Sequence, residues 1–292
     1  MALTSPALTL GVHALFGNVT PALDIIKKLG VTDFSDGADG IIEIKPGATI
    51  KVPVSSVSKA LAYNETTNNY LTGGATDWAS LSASHFVQGY DITGVNVDQG
   101  ADAAKFKQLF SLRAGQGIAM AAIDAVKTAL DGATTSTGVT LSSTADYAAY
   151  AGLGSDVNWL NKATSILAVK GSEWAAIVSA CAAKNVVRKE DIVSGLGFAD
   201  IVVIPGMTAR AVIVPAGAFG VLGRVPATVA RYMESGVETD EESGLSVGIK
   251  VADDQAHNRI VCNADIWFGA TLISANAAAT TAGVIKVGNA AA

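Results

Sequence analysis

Residues 97–132 read VDQGADAAKFKQLFSLRAGQGIAMAAIDAVKTALDG, and this stretch decides the architecture. It predicts one helix from Asp98 to Gly132. Asp98 is a suitable N-cap, Asp102 puts negative charge in the first turn, and Asp131-Gly132 is a suitable stop. At 1.5 Å per residue the rod is roughly 45–50 Å long, more than most globular helices reach. Phe106, Leu109, Phe110 and Leu112 fill its first half, and Ile118, Ile123, Val126 and Leu130 follow at helical spacing among alanines. A rod with such a stripe reads as a spine on which other elements pack. Gly115 and Gly117 sit inside it, each costing about 1 kcal/mol relative to alanine. That cost points to the close approach of another backbone, with a kink as the alternative.

Upstream, residues 1–40 read as an arm carrying one short helix, Pro21 to Gly30, with proline near its start and lysines near its end. Residues 41–54, IIEIKPGATIKVPV, alternate apolar and polar around Pro46-Gly47 and predict two strands of a hairpin. A polar, turn-rich excursion containing NETTNNYLTGGATDWASLSASH follows, and strand character resumes at Phe86. The chain leaves on strands and returns on strands, so a protruding β-ribbon of about 50 residues is expected. A two-stranded ribbon is marginal in water unless it lies on something.

Downstream, TTSTGVTLSSTADYAAYAGLG reads as a low-charge connector. Ser165 to Val169 predicts a strand and Ser172 to Ala183 a helix, while GLGFADIVVIPGM and RAVIVPAGAFGVLG are short β-rich runs punctuated by Gly and Pro. The tail predicts strands at 229–233, 245–251, 259–273 and 282–287, with ESGVETDEESG as an acidic loop between the first two. Helices and strands do not interleave regularly, so the class is α+β.

Composition narrows the chemistry. The 292 residues are 50% apolar with a mean hydropathy of +0.38, yet no run of about 18 apolar residues appears, which argues against a membrane span. The opening MALTSPALTLGVHALFG lacks the basic n-region of a signal peptide. A net charge of −6 and the lack of a Lys/Arg stripe argue against a dedicated nucleic-acid reader. Cys181 and Cys262 are far apart without ligand-like spacing and read as buried thiols.

The motifs are equally sparing. GQGIAM at 115–120 starts like a dinucleotide fingerprint but ends on Met120 inside a helix, and neither a P-loop nor a G-x-S-x-G elbow occurs. His13, His85 and His257 are scattered and read as surface or capping residues. Glu234, Glu238, Asp240, Glu241 and Glu242, with Asp253 and Asp254, fit a calcium loop only loosely; a solvated loop, or contact with basic groups of a neighbouring subunit, is the simpler reading. Trp78, Trp159, Trp174 and Trp267 are spread out and read as core or interface anchors. No cofactor or metal is implied.

Taken in order, arm, ribbon, spine helix, α/β unit and acidic segment between long strands resemble the major capsid protein of tailed bacteriophages, the Hong Kong 97-type fold shared with encapsulin shells. GLGFADIVVIPGMTARAVIVPAGAFGVLGRVP and ARYMESGVETDEESGLSVGIKVADDQAHNRIVCNADIWFGATLI carry the resemblance, including an aspartate before an apolar strand at Asp265. It implies an N-terminal arm over 1–40, an E-loop ribbon over 41–95, the spine helix with part of the P-domain over 96–158, an A-domain over 159–228, and a P-loop hairpin with closing strands over 229–292. It further implies hexamers and pentamers of this chain enclosing double-stranded DNA in a virion assembled in the host cytoplasm. Scaffolding, portal and decoration proteins would be its company, without a membrane and without catalysis. The expected interface residues are Lys51, Lys59 and Trp78 on the ribbon, and Arg231, Glu234, Glu238, Asp240, Glu241 and Glu242 around the acidic run. Some relatives cross-link lysine to asparagine, but no motif here supports pairing Lys51 or Lys59 with Asn258 or Asn263. The alternatives are an encapsulin-like compartment around a protein cargo, an α+β enzyme using the acidic loop, and a surface adhesin.

Overall fold

The computed structural model describes residues 32–33, 49–55, 76–93, 103–133, 135–157, 160–224, 234–239, 246–272 and 283–289. Its first strands are β1 (Thr32–Asp33), β2 (Thr49–Ser55), β3 (Thr76–Ser82) and β4 (Ser84–Thr93). Helix α1 (Ala103–Asp131) follows, then β5 (Thr135–Leu141) and α2 (Tyr147–Gly152). Next come β6 (Ile166–Val169), α3 (Gly171–Ala182), α4 (Lys189–Leu196), β7 (Asp200–Val203) and β8 (Ala211–Val214). The chain continues through β9 (Phe219–Arg224), β10 (Glu234–Thr239), β11 (Ser246–Asp254), β12 (Arg259–Leu272) and β13 (Ile285–Asn289). The class is α+β, as the patterning predicts.

Two sheets carry the core. In the larger, β12 lies against β4 on one edge, and against β11 and then β9 on the other; β10 pairs with β11, and β1 with β9. The smaller has the order β5-β13-β8-β6-β7. Its parallel neighbours β6 and β7 are joined through α3 and α4, the helical crossover that parallel pairing requires. The last strand therefore belongs with the middle of the chain, while β9 joins the large sheet.

Helix α1 packs on the large sheet and shares one core with both sheets. Its Ala114, Ile118, Ala119, Ala122, Val126 and Leu130 meet Ile249, Ala264, Ile266 and Phe268 from one sheet and Ala168, Val202 and Val212 from the other. The side chains of Phe106, Leu109, Phe110 and Leu112, and the proposed cap Asp98, lie outside the described set. The helix runs unbroken through Gly115 and Gly117. At Gly117 the close neighbour is a side chain rather than a backbone: a Cβ there would sit 2.9 Å from the amide oxygen of Gln88 on β4. Gln88 is itself held by donating to the Tyr90 hydroxyl at 3.2 Å. The missing methyl thus sets how closely helix and strand approach.

The C-terminal end of α1 is tied down. The Asp131 carboxylate accepts from the amides of Thr208 (3.1 Å) and Ala209 (2.8 Å), and its carbonyl accepts from Lys286 Nζ at 2.8 Å. Burial raises the Asp131 carboxyl, but these amides and the Lys286 charge outweigh it and hold the carboxyl below its ordinary range.

On its other face the small sheet packs Leu167, Val169, Ile201, Ala211 and Ile213 against α2, α3 and α4, in a second core. Both cysteines are buried, Cys262 in the first core and Cys181 in the second. The second core encloses an ionic knot. Arg210 donates to both oxygens of buried Glu173, Nε at 3.0 Å and Nη2 at 2.8 Å, while Tyr150 donates to Glu173 Oε1 at 2.8 Å. Arg210 Nη1 also donates to the carbonyl of Leu141 at 2.8 Å, so one guanidinium links α3, β5 and the start of β8. Burial pushes the Glu173 carboxyl up, but hydrogen bonds from Arg210 and Tyr150 and the Arg210 charge win and hold it low. Burial and the same carboxylate push the Tyr150 hydroxyl up to about 12.

Four expectations change. The supposed connector after the spine contains β5, parallel to β13, and α2, capped by Asp146 accepting from Ala149 N at 3.0 Å. The first half of the acidic loop, ESGVET, is strand β10. Helix α4, closed by Gly197 in a left-handed conformation (φ 77°), does not appear in the sequence reading. Finally, the strand at 49–55 pairs with 76–82 across the excursion, while residues 41–48 of the expected hairpin lie outside the described residues.

Glu173→Gln should destabilise the fold by about 3 kcal/mol, the cost of leaving a buried cation without its anion. Because the folded Glu173 carboxyl lies below its unfolded value, the stability it contributes is present near neutrality and is lost as pH falls through about 4 and below. Denaturant titrations of both proteins against pH should show the gap narrowing on acidification. A gap independent of pH would contradict the assignment.

Candidate assembly surfaces

The ribbon is built as the returning strands require. β2 and β3 pair antiparallel from Thr49 opposite Ser82 to Ser55 opposite Thr76, and among the described residues no further strand joins them. Pro53, opposite Trp78, brings no N–H, which suits a strand with a free edge. Lys51 stands opposite Ser80, so Lys51 and Trp78 both lie on the ribbon, while Lys59 lies outside the described residues. β3 runs into β4 with a single break at Ala83, so the ribbon is an extension of a strand of the large sheet.

The acidic run sits elsewhere. β10 is the edge strand beyond β11, with Glu234 opposite Val251 and Glu238 opposite Val247. Arg231, Asp240, Glu241 and Glu242 lie outside the described residues. Glu234 and Glu238 are thus brought to one edge of the sheet, whereas the ribbon departs from β4 on the other side of β12. Val237 between them is 58% exposed. Among the described residues no group of His, Cys, Asp or Glu is placed to hold a metal ion, and no helix is long and apolar enough to cross a membrane.

A charged cluster that the sequence reading missed lies on the face of the large sheet turned away from α1. Along β12, alternation sends Cys262, Ala264, Ile266 and Phe268 into the core and places Asp265, Trp267 and Gly269 on the far face. Buried Lys250, from β11, donates to Asp265 Oδ2 at 2.5 Å, and His85 Nε2 lies 3.3 Å from the same oxygen. The His85 ring stacks on Trp267, with centroids 4.8 Å apart. Asp265 Oδ1 is buried without a hydrogen-bond partner among the described residues. The sequence signal was a lysine and an aspartate inside two alternating strands, but only the register brings them together, Lys250 standing one step diagonally from Asp265.

At the far end of β12, Asp254 accepts from Arg259 Nε at 2.8 Å and contacts His257 Nδ1 at 2.9 Å. Hydrogen bonds from Arg259 and His257 lower the Asp254 carboxyl. His257 is therefore a surface residue, as expected, and His85 is part of the cluster.

Lys250→Met, which removes the cation 2.5 Å from a buried carboxylate, should cost about 3 kcal/mol or more. Adding Asp265→Leu should recover most of that loss, because replacing both partners with apolar groups removes the stranded charge. A double-mutant cycle by chemical denaturation checks this; additive losses would show that the two residues do not act as a pair.

No family model and no curated protein matches the chain. Among solved structures it is similar to the capsid of an empty GTA particle, with a TM-score of 0.55 and 10% identity over 91% of this chain and 90% of that one. It is also similar to a chain of Mycobacterium phage Che8, with a TM-score of 0.49 and 11% identity over 89% of each chain. A third is the virus-like particle from Pyrococcus furiosus, with a TM-score of 0.49 and 11% identity over 94% of this chain and 97% of that one. The fold is assigned on the first. With a spine helix under a mixed sheet, a ribbon drawn out of that sheet and a second helix-covered sheet, the chain has the Hong Kong 97-type fold of phage-capsid proteins.

Proposed function

We propose that the chain is a structural shell subunit, a major capsid protein of tailed-phage type that assembles through hexamers and pentamers around double-stranded DNA. The observation that carries this reading is the β2–β3 ribbon. It is a paired extension of the large sheet with only two strands among the described residues. Such a pair gains little by itself in water and gains much by lying on a neighbour. The fold supports the same conclusion, because the likeness to the GTA capsid covers nine-tenths of both chains.

In this reading residues 1–40 form the arm, 41–95 the E-loop ribbon, 96–158 the spine and part of the P-domain, 159–228 the A-domain, and 229–292 the P-loop hairpin and closing strands. Lys51, Lys59 and Trp78 on the ribbon meet other copies, as do Arg231, Glu234, Glu238, Asp240, Glu241 and Glu242 around the acidic turn. Heterologous contacts of this kind close into a shell when their rotation closes. DNA contact is non-specific, in keeping with a net charge of −6. Scaffolding, portal and decoration proteins are the partners to look for, the place is the virion, and assembly takes place in the host cytoplasm. The role is structural, with no catalytic residue assigned.

Negative-stain electron microscopy and sedimentation of the purified protein test the proposal. Closed shells, tubes or isolated hexamers and pentamers are expected, with nucleic acid inside particles from native cells. Shells holding a protein cargo would move the assignment to an encapsulin-like compartment. A monodisperse monomer, alone and with its candidate scaffold, would overturn the shell reading and return attention to the acidic residues as an enzyme site.

A further inference from the structure

The ribbon does not simply continue in the plane of the sheet. The last pairs between β4 and β12 are His85 with Trp267 and Ser84 with Phe268; the next residue of β12 is Gly269. A Cβ built on Gly269 would run into the carbonyl oxygen of Ser82, with Ala83 Cα 3.1 Å away. Gly269 shares its face with Asp265 and Trp267, so the Ser82–Ala83 backbone lies on the far face of the sheet, directly on β12. β3 also touches β12 and β9. There Leu222, the register partner of Gly269, is fully buried although it points away from the α1 core, and Leu81 of β3 is fully buried as well. Beside this crossing, the His85–Trp267 stack braces the first residues of β4.

We propose that Gly269 is the positioning residue of the ribbon: its missing side chain makes a slot in which the Ser82–Ala83 backbone seats, so that β3 crosses the far face in one fixed direction. The obstacle is main chain, which cannot rotate aside as a side chain can. Gly89 on the same face makes the contrast. A Cβ there would meet the end of the Asn263 side chain at 2.5 Å, an obstacle that a rotamer change removes. A side chain at 269 must therefore lift the ribbon root off the sheet, and the displacement grows with distance along the ribbon, whose strands rise about 3.3 Å per residue. The direction of the ribbon is a property of the subunit; its consequence for particles rests on the shell reading above.

The test uses the full chain with Cys181 and Cys262 changed to Ala and spin labels at Ser80→Cys and Thr128→Cys, read by pulsed dipolar spectroscopy. The parent should give one narrow distance. Gly269→Ala should shift its mean or broaden it beyond the parent's width, while Gly89→Ala should leave it unchanged. If Gly269→Ala does not fold, Leu81→Ala decides, since freeing the root from the far face should broaden the same distance. An unchanged narrow distance in Gly269→Ala, or in Leu81→Ala where that variant decides, overturns the proposal. Particle formation is scored separately. A shifted distance with loss of closed shells supports both the slot and the ribbon's part in assembly, whereas a shifted distance with normal shells keeps the slot and removes the ribbon from the shell reading.

Discussion

The buried face of α1 is the constraint on which the rest depends. One side of a single helix serves as the common floor of two sheets, so their relative placement is set by what that side can accommodate. Alanines at 114, 119 and 122 bring the sheets close, and Ile118, Val126 and Leu130 fill the space between. Packing of this kind tolerates little change in volume, because interiors are as dense as organic crystals. The free end of the helix is fastened twice, through the Asp131 carboxylate to the loop before β8 and through its carbonyl to Lys286 on β13. With the two sheets locked to one rod, the positions of the edge strand β10 and of the ribbon root on the far face are fixed as well.

Buried charge is concentrated where elements distant in sequence must be held in register. Arg210 and Glu173 join β8 to α3 and reach the end of β5 through Leu141, while Lys250 and Asp265 join β11 to β12 at the place where His85 leads out of the ribbon. Such pairs offer little net stabilisation over an apolar substitute, because desolvation offsets attraction. What they impose is geometry: a misregistered strand leaves a charge stranded in the interior. In the proposed shell, where the same contacts repeat between many copies, a unique subunit conformation matters more than a few kcal/mol.

Legibility in the sequence followed locality. The spine was readable because its stripe repeats at helical spacing and a stop follows it, and β6, α3 and β12 were readable from period and punctuation alone. The segment of β5 reads as a connector because Ser, Thr and Gly dominate it; its strand character comes from pairing with β13, some 150 residues later. ESGVET looked like a loop for the same reason, since its acids suit water and only the partner strand β11 makes it extended. The glycines at 115 and 117 point to a close approach of backbone, whereas the neighbour at Gly117 is the Gln88 side chain, because which residue of β4 faces the helix is decided by the register of β4 on β12. The slot at Gly269 and the Lys250–Asp265 pair belong to the same class: each is a meeting of residues whose partners are fixed by sheet pairing rather than by neighbours in the chain. Helix α4 is a different miss, because Glu190 and Asp191 in its first turn and Gly197 at its close were visible signals.

The measurement that bears most directly on the shell account is amide hydrogen exchange of the ribbon in the dissociated subunit and in the assembled particle. The end of the ribbon away from the sheet, Val54 and Ser55 with Thr76 and Asp77, has only its own two-stranded pairing among the described residues. The account predicts rapid exchange there in the subunit and strong protection in the particle, while α1 is protected in both. Equal protection of that end in the two states would contradict it, for the ribbon would then need no neighbour to lie on.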